Sequence, residues 1–106
     1  MRPELGNPVA TDDLELDPSN RTLTRAGRVI GLTPKEYALM AMLLDRRGRV
    51  VSRTEILHAV WGHQCRFVAT TSLDVYVGYL RRKTEAGGEP RMIHTVRGVG
   101  FRAEPN

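Results

Sequence analysis

The stretch of residues 70–83 constrains the fold of this chain more strongly than any other. It reads Thr-Thr-Ser-Leu-Asp-Val-Tyr-Val-Gly-Tyr-Leu-Arg-Arg-Lys. At about 3.6 residues per turn, Leu73, Val77 and Leu80 fall on one stripe, with the spacing of a helix that packs on a core. The sequence therefore predicts an amphipathic helix here, with its aliphatic stripe buried.

The opposite side of this predicted helix carries small, hydroxylated and aromatic groups, and the helix ends in a basic run. The opposite side comprises Thr71, Val75, Gly78, Tyr79 and Arg82, and the basic run is Arg81, Arg82 and Lys83. A helix held by one apolar face and bearing such groups on the other is suited to the major groove of DNA. An ordinary amphipathic surface helix with a solvated charged end shows the same pattern, so this stretch alone leaves both interpretations open.

Charge is distributed unevenly along the chain. The net charge is +4, yet residues 1–20 hold one Arg against five acidic residues, whereas residues 21–106 hold fifteen cations against seven acidic residues. A basic body favours a polyanionic partner, and nucleic acid, membrane headgroups and acidic proteins all fit that description. The charge pattern thus indicates a class of partner without choosing among its members.

Length and cysteine content indicate a single intracellular domain. A chain of 106 residues is long enough for one modest core and too short for two. Its single cysteine, Cys65, has no partner for an internal disulfide, so the fold does not depend on an oxidising compartment. No apolar run approaches about eighteen residues, and the start is not of the signal type. We therefore expect a cytoplasmic protein.

Two capping-box sequences predict two further helices. Thr33-Pro34-Lys35-Glu36 combines a capping threonine, a proline at the first helical position and a glutamate that can bond back to the cap. Ser52-Arg53-Thr54-Glu55 is a second capping box. The first helix is predicted to end near Gly48 and to bury Tyr37, Met40, Ala41 and Leu44. The second is predicted to end at Gly62, and its apolar residues are Ile56, Leu57, Val60 and Trp61.

Trp61 has two interpretations that are compatible with each other. The indole can fill the core between helices, which is the usual place for so large an apolar group. Its ring N–H can also reach a phosphate at the edge of a DNA-binding face. We therefore count Trp61 among the candidate DNA contacts.

Short alternating segments on both sides of the helices predict β-strands. Turn sequences at 17–20 and 26–28 divide the first part of the chain, which predicts one or two strands within 9–16, one near 22–24 and one near 29–32. Residues 1–8, with two prolines and a glycine, are expected to be a tail or the end of a linker. Toward the other end, residues 92–96 and 101–103 predict a hairpin joined by a turn that contains glycines.

Arg97 lies beside the predicted turn of this hairpin. A guanidinium at the tip of a projecting ribbon can enter the narrow, negative minor groove of DNA. The alternative is an exposed arginine at a loop tip, which is common on protein surfaces. His94, in the middle of a predicted strand, is expected to face solvent or to form a hydrogen bond rather than to bind a metal.

The segment between the second and third predicted helices is longer than a tight helix-turn-helix connection. It comprises His63, Gln64, Cys65, Arg66, Phe67 and Val68. His58, His63 and Cys65 fit no zinc-ligand spacing and lack a fourth ligand, so no metal site and no cofactor is expected. A nucleophilic Cys–His pair would need an orienting carboxylate and an oxyanion-binding loop, and neither is evident. We therefore expect no enzyme activity.

Six ordered segments resemble the signature segments of the C-terminal DNA-binding domains of OmpR/PhoB-family response regulators. They are Leu32-Thr33-Pro34-Lys35-Glu36-Tyr37, Val51-Ser52-Arg53, Val60-Trp61-Gly62, Leu73-Asp74-Val75-Tyr76-Val77, Leu80-Arg81-Arg82-Lys83 and Ile93-His94-Thr95-Val96-Arg97-Gly98-Val99-Gly100-Phe101. The match spans about residues 9–103, nearly the whole chain. The resemblance implies an α+β winged helix-turn-helix over residues 9–106, with an N-terminal four-stranded antiparallel sheet, a three-helix bundle and a C-terminal β-hairpin wing.

The same resemblance implies a transcription factor that binds promoter direct repeats, with its third helix in the major groove and its wing in the minor groove. It implies phosphate contacts at the start of the third helix and along it, and two contacts from the wing. The matching positions are Thr71, Ser72, Tyr76, Arg81, Arg82, Thr95 and Arg97. It also implies that residues 63–68 belong to a loop that touches RNA polymerase.

One departure from the family pattern concerns base reading. Many members have two arginines where this chain has Gly78 and Tyr79, so bidentate recognition of guanine is not available from Tyr79. Our hypothesis is that Tyr79 and Val75 contact thymine methyl groups while Gly78 lets the helix backbone approach the duplex. Tight packing of Gly78 against another helix is the alternative, since a helix-interior glycine costs about 1 kcal/mol relative to alanine.

The partners expected from the resemblance are double-stranded DNA, RNA polymerase and, through a receiver domain for which these residues leave no room, a cognate sensor kinase. We expect the chain to be monomeric in isolation and to form head-to-tail dimers on DNA, where adjacent sites supply avidity. A winged helix used only for protein contact is one alternative, and a small hydrolase that uses the histidines with Cys65 is another. An RNA-binding role is disfavoured because no aromatic pair on a sheet is apparent.

Overall fold

The computed structural model describes residues 14–68 and 70–104, and for Phe67 and Thr70 it describes the backbone alone. The elements in chain order are β1 (Leu14–Asp17), β2 (Thr22–Arg25), β3 (Arg28–Gly31), α1 (Pro34–Asp45), β4 (Val51–Ser52), α2 (Arg53–Trp61), a 3-10 helix (Gly62–Phe67), α3 (Thr70–Glu85), β5 (Ile93–Val96) and β6 (Gly100–Ala103). None of the helices in these described ranges is long and apolar enough to cross a membrane.

The first three strands form an antiparallel sheet in the order β1-β2-β3. Leu14, Leu23 and Ile30 are buried, while Val29 on the other face is exposed, which is the alternation expected of a sheet with one face on the core. Ala26 and Gly27 both have positive φ, as a two-residue hairpin turn requires. The resemblance implied a fourth strand; the predicted strand residues 9–13, like the predicted linker 1–8, lie outside the described residues.

Both capping boxes are present. The Glu36 backbone N–H donates to Thr33 Oγ1 at 3.2 Å, and the Thr33 N–H donates to Glu36 Oε1 at 2.9 Å. Ser52 and Glu55 exchange the equivalent pair of bonds at the start of α2. The predicted starts of the two helices are therefore confirmed, because reciprocal side-chain caps satisfy amide groups that a helix cannot satisfy internally.

The buried face of α1 differs from the prediction. The helix buries Leu39, Met40 and Leu43 completely, whereas Tyr37, Ala41 and Leu44 are only partly buried. Eight consecutive apolar residues, 37–44, leave this helix without a distinct polar side. The periodicity therefore could not identify the inner face, and packing against the other helices chose it.

The second half of the fold is organised by a three-stranded sheet in the order β4-β6-β5. The predicted hairpin of β5 and β6 is present, and Ile93 pairs with Ala103 and Val96 with Gly100. The two-residue strand β4 was not predicted, and it joins the hairpin through Val51 opposite Phe101. A Cβ at Gly100 would collide with the Val51 carbonyl oxygen, so glycine is needed for these strands to approach each other.

The inner stripe of α3 lies where the sequence predicted it. Leu73, Val77 and Leu80 are buried in a core to which every layer of the fold contributes. The other buried apolar residues are Leu14, Leu23, Ile30, Leu32, Leu39, Met40, Leu43, Val51, Ile56, Met92, Ile93, Phe101 and Ala103. The helix extends two residues beyond the predicted end at Lys83, to Glu85. The core thus holds α3 from behind along its length.

Candidate nucleic-acid interface

The C-terminal end of α3 is anchored by two arginines from the N-terminal sheet. Arg25 is 4% exposed, and it donates to the Thr84 carbonyl at 2.8 Å and to the Pro90 carbonyl at 2.7 Å. Arg28 donates to the Lys83 carbonyl at 3.1 Å and forms an ion pair with Glu89 at 2.8 Å. Cations at a helix C-terminus stabilise the helix dipole and satisfy its last carbonyls.

Lys83, the last residue of the basic run, also serves this anchoring. Its ammonium group lies 2.6 Å from Glu36 Oε1 and donates to the Gly31 carbonyl at 3.1 Å. Burial by itself would raise the pKa of Glu36, but the hydrogen bonds from Lys83 and the Thr33 N–H outweigh burial and hold this pKa below its usual range. One ion pair therefore joins the end of α3 to the cap of α1.

The outer face of α3 is exposed, as predicted. Val75 and Tyr79 are 48% and 41% exposed, and Thr71 and Arg82 are exposed beside them. Ser72 is half-buried. A Cβ placed on Gly78 would meet nothing within 4 Å, so none of the helices that the structure describes packs tightly against this glycine. The packing explanation of Gly78 is therefore wrong, and the surface it leaves is open.

A line of aromatic rings crosses from α2 to α3 and has a cation at each end. The ring centroids of Trp61 and Tyr76 are 5.5 Å apart, and those of Tyr76 and Tyr79 are 5.8 Å apart, both edge-on. The Arg82 guanidinium lies 5.2 Å from the Tyr79 ring centre, and the Lys35 ammonium lies 5.7 Å from the Trp61 ring. We call these five residues the aromatic line. Edge-to-face pairs and cation–π contacts fix ring orientation in a partly exposed row.

Lys35 is the residue of this surface that sequence reasoning missed. In the sequence it is the third residue of a capping box, a position read as part of a helix start. The fold places it over Trp61, which the sequence had already made a candidate DNA contact through its indole N–H. A signal did exist, because the N-terminal turn of α1 and the end of α2 both lie within segments that resemble the family signature. Their proximity, however, depends on helix packing that no periodicity reports.

Arg81, a predicted phosphate contact, and Thr95, a predicted wing contact, are bonded to each other within the protein. Arg81 Nε donates to the Ile93 carbonyl at 2.9 Å, and Arg81 Nη2 donates to Thr95 Oγ1 at 2.8 Å. The guanidinium is half-buried, and this burial lowers the pKa of Arg81 from its ordinary value. The three consecutive cations of the basic run thus have three different environments.

The wing projects Arg97 into solvent. Arg97 lies in the turn between β5 and β6, where Gly98 has φ +79°. Val99, two residues after Arg97, is 51% exposed. Within residues 14–68 and 70–104, Arg97 has no ion pair or hydrogen bond to another side chain. The guanidinium is therefore available to an external anion. His94 is hydrogen-bonded to the Glu104 carbonyl at 3.3 Å, in line with the prediction.

The segment after α2 was predicted as a loop and forms a 3-10 helix that keeps polar groups outside. His63, Gln64 and Arg66 are exposed, while Cys65 and Val68 are partly buried. Cys65 Sγ lies 3.6 Å from His58 Nδ1. Both line a cavity of about 580 Å³ whose other lining residues are Thr54, Leu57, Gly62, His63 and Arg66. Among the described residues, no three His, Cys, Asp or Glu side chains are close enough to hold a metal ion.

The chain matches one protein family over most of its length. Residues 27–103 match the family described as "Transcriptional regulatory protein, C terminal". The chain is 55% identical over 89 residues to the response regulator MprA of Mycobacterium sp. (strain KMS), and 56% identical over 89 residues to MprA of Mycobacterium ulcerans (strain Agy99). Both matches cover 84% of this chain but only 38% of the relative.

Solved structures with the same fold include domains in complex with DNA. The DNA-binding domain of the response regulator AdeR, in complex with an intercistronic region, matches 88% of this chain and 94% of that one, with a TM-score of 0.76 and 26% identity. The Klebsiella pneumoniae RstA DNA-binding domain, in complex with the RstA box, matches 88% of this chain and 92% of that one, with a TM-score of 0.73 and 28% identity.

Proposed function

Because this chain belongs to the OmpR/PhoB-type family of C-terminal DNA-binding domains of response regulators, we propose that it controls transcription by binding specific promoter sequences with α3 in the major groove and the wing in the minor groove. The observation that carries this proposal is the geometry of α3. The helix is held from behind by the core and at its end by Arg25, Arg28 and Lys83, while its outer face is exposed.

We assign base reading to Val75, Gly78 and Tyr79. Val75 and Tyr79 present apolar surface that can contact thymine methyl groups. The open space at Gly78 allows the helix backbone to approach the duplex closely. Arg82 and Tyr76 both lie against the Tyr79 ring, which limits its rotamers and prepares it for binding with little loss of entropy.

Phosphate contacts would surround this reading surface. Thr71 and Ser72 lie on the first turn of α3, and Arg82 extends the aromatic line at its far end. At the near end, Lys35 brings a cation to the Trp61 indole, so both can reach the same backbone segment. Each neutralised phosphate should steepen the salt dependence of binding by a log-log slope of about 0.9. Arg97 would insert into the minor groove from the wing.

The wider partners follow from the longer relatives. The chain covers 38% of MprA from Mycobacterium sp. (strain KMS), so a receiver domain and a cognate sensor kinase belong to this proposal. Two copies would occupy direct repeats head to tail, where neighbouring sites raise the effective concentration. Residues 63–68 would contact RNA polymerase through their exposed polar side chains. The protein would act in the cytoplasm, where the promoter is.

Selection of bound sequences from random duplexes, with the wild-type chain and with Tyr79→Ala, tests this function. We expect a defined motif for the wild type and a loss of preference for thymine at one or two positions in the variant, because a good base contact contributes about 1 to 3 kcal/mol of discrimination. Tyr79→Phe, which keeps the apolar ring, is the matched control and should retain the motif.

Two results would contradict the proposal. Unchanged sequence preference in Tyr79→Ala, with only a loss of stability, would remove Tyr79 from base reading. If duplex DNA caused no salt-dependent shift even with the wild-type chain, the fold would serve protein contact only. Binding should also weaken steeply with salt, which fluorescence anisotropy at several KCl concentrations would measure.

A further inference from the structure

We propose that Arg81 is a positioning residue that fixes the wing relative to α3, so that the two grooves are read as one unit. This inference rests on the proposed function for its consequence, but its structural part concerns the free protein. It differs from the roles that the family resemblance implies, which are a direct phosphate contact for Arg81 and a DNA contact from the wing for Thr95. The two roles predict different effects of the same substitutions.

The geometry of the guanidinium supports positioning. Arg81 uses two donors on one edge, with Nε bonded to the Ile93 carbonyl at 2.9 Å and Nη2 to Thr95 Oγ1 at 2.8 Å. Both acceptors belong to β5, so one planar group fixes a distance and an angle together. The hydroxyl oxygen of Thr95 is the acceptor in this arrangement, and its own O–H remains a donor.

The neighbouring cation gives an internal comparison. Arg82 is the next residue of α3, is exposed and lies over the Tyr79 ring without reaching the wing. Arg81 is half-buried, and its guanidinium donates two hydrogen bonds to β5. A cation placed for phosphate would keep its hydration until DNA arrives, whereas Arg81 has already exchanged water for protein acceptors.

The other strand of the wing is held at a different point, which explains why β5 needs its own connection. The Arg53 backbone N–H donates to the Val99 carbonyl at 3.3 Å. The Arg53 guanidinium lies over the Phe101 ring and forms an ion pair with Asp74 of α3 at 2.8 Å. These contacts hold β6 and the wing turn. With β5 held by Arg81, both strands are fixed to α3, and Arg97 between them acquires a defined position relative to the reading face.

The test uses two conservative substitutions that remove this bond without removing charge or bulk. Arg81→Lys keeps the cation but loses the two-donor edge, and Thr95→Val keeps the β-branched shape but loses the accepting hydroxyl. Arg82→Lys is the matched control, since it makes the same chemical change one residue away. Circular dichroism at the assay temperature would establish that each variant is folded.

The first measurement needs no DNA. Residual dipolar couplings of backbone amides in β5 and β6, compared with those of α3, report the orientation of the wing. We expect Arg81→Lys and Thr95→Val to change or average the couplings of the wing while those of α3 stay as in the wild type, and Arg82→Lys to change neither. Wild-type couplings in both variants would overturn the inference, whether or not the chain binds DNA.

The second measurement asks whether the effect of Arg97 on DNA affinity depends on Arg81, with single and double variants. On the selected duplex we expect Arg81→Lys and Thr95→Val each to weaken binding by about tenfold, and the double variant to be no weaker than either single one. Arg97→Ala should cost several-fold in the wild type and almost nothing in the Arg81→Lys background, because a displaced wing has already lost that contact.

The results separate the two proposals. If the wild type binds specifically but Arg97→Ala costs the same factor in both backgrounds, Arg81 is a phosphate-binding cation and the positioning role is wrong. If the wild type does not bind duplex DNA, the proposed function fails while the dipolar couplings still decide the structural role. A general loss of stability in Arg81→Lys would also leave the Arg97 factor unchanged and would equally overturn positioning; circular dichroism at the assay temperature distinguishes it from the loss of a phosphate contact.

Discussion

The C-terminal end of α3 and its outer face have very different surroundings, although basic residues belong to both. At its C-terminal end, cations are committed to protein acceptors: Arg25 and Arg28 to carbonyls, and Lys83 to Glu36. On its outer face, Val75 and Tyr79 are exposed and Gly78 faces open space. The basic run therefore indicates where α3 is anchored to the rest of the fold more than it indicates the surface that we propose reads the bases. Substitutions at the two places should therefore affect different properties.

The largest effect is expected from removing the anchor. Arg25→Ala leaves two carbonyl groups without their charged donor in a buried site, and hydrogen bonds to charged groups contribute about 1.5 to 3 kcal/mol each. We expect the free energy of unfolding to fall by about 3 kcal/mol, measured by urea denaturation. The folded fraction should bind DNA with nearly wild-type affinity.

Arg82→Ala provides the converse of that experiment. Arg82 is exposed and contacts only the Tyr79 ring among the interactions described above, so stability should change by less than about 0.5 kcal/mol while DNA affinity falls. Equal effects of both substitutions on stability and on binding would show that the anchored end and the reading face are not separate.

The Lys83–Glu36 pair should give a smaller, pH-dependent effect. The pKa of Glu36 is lower in the folded state than its reference value of 4.5, so the unfolded chain binds the proton more readily. The stabilisation is therefore complete above about pH 4.5 and is lost as the pH falls through the folded-state pKa. Urea denaturation between pH 7 and pH 3 would measure it.

Glu36→Gln is the variant that isolates this contribution. It removes the charge partner of Lys83 and should lower stability near neutral pH by about 1 to 2 kcal/mol, with a flatter decline at low pH. Glu104→Gln, at a partly exposed carboxylate with an ion pair of 3.7 Å, is the control and should leave the curve nearly unchanged. If the free energy of unfolding of Glu36→Gln fell as steeply at low pH as that of the wild type, the acid sensitivity would belong to other carboxylates.

A change in stability of the opposite sign is expected at Gly78 on the outer face of α3. Gly78→Ala should raise the free energy of unfolding by up to about 1 kcal/mol, because alanine is the better helix former and its Cβ meets nothing within 4 Å. DNA affinity should fall nonetheless if the backbone must lie close to the duplex. A more stable variant that binds with unchanged affinity and sequence preference would remove close approach as the reason for this glycine.

Local signals were sufficient for the features that depend on a few adjacent residues. The two capping boxes predicted the starts of α1 and α2, and the apolar spacing of Leu73, Val77 and Leu80 predicted the inner side of α3. Two β-rich runs joined by glycines predicted the C-terminal hairpin, and the family resemblance identified it as a wing. The buried face of α1 and the two-residue strand β4 were not predictable, since one helix is apolar nearly all round and the strand exists only by pairing with β6.

The candidate site shows the same division. Exposure of Val75 and Tyr79 followed from the helical period of α3, whereas the environments of Arg81, Arg82 and Lys83 did not follow from their shared charge. Lys35 joins the aromatic line only because α1 packs beside α2. Residues that are adjacent in sequence need not share a partner, because each points in a different direction around the helix.

By itself, the amino-acid sequence determined where the helices begin, which side of α3 is buried and which family the fold resembles. Those properties are set by backbone capping and by periodic burial of apolar groups, which act over one or two helical turns. The tertiary structure alone decided which cations became anchors and which stayed free, and that Arg81 joins α3 to the wing. Such choices depend on acceptors brought together from distant parts of the chain, and only the packed core sets those distances.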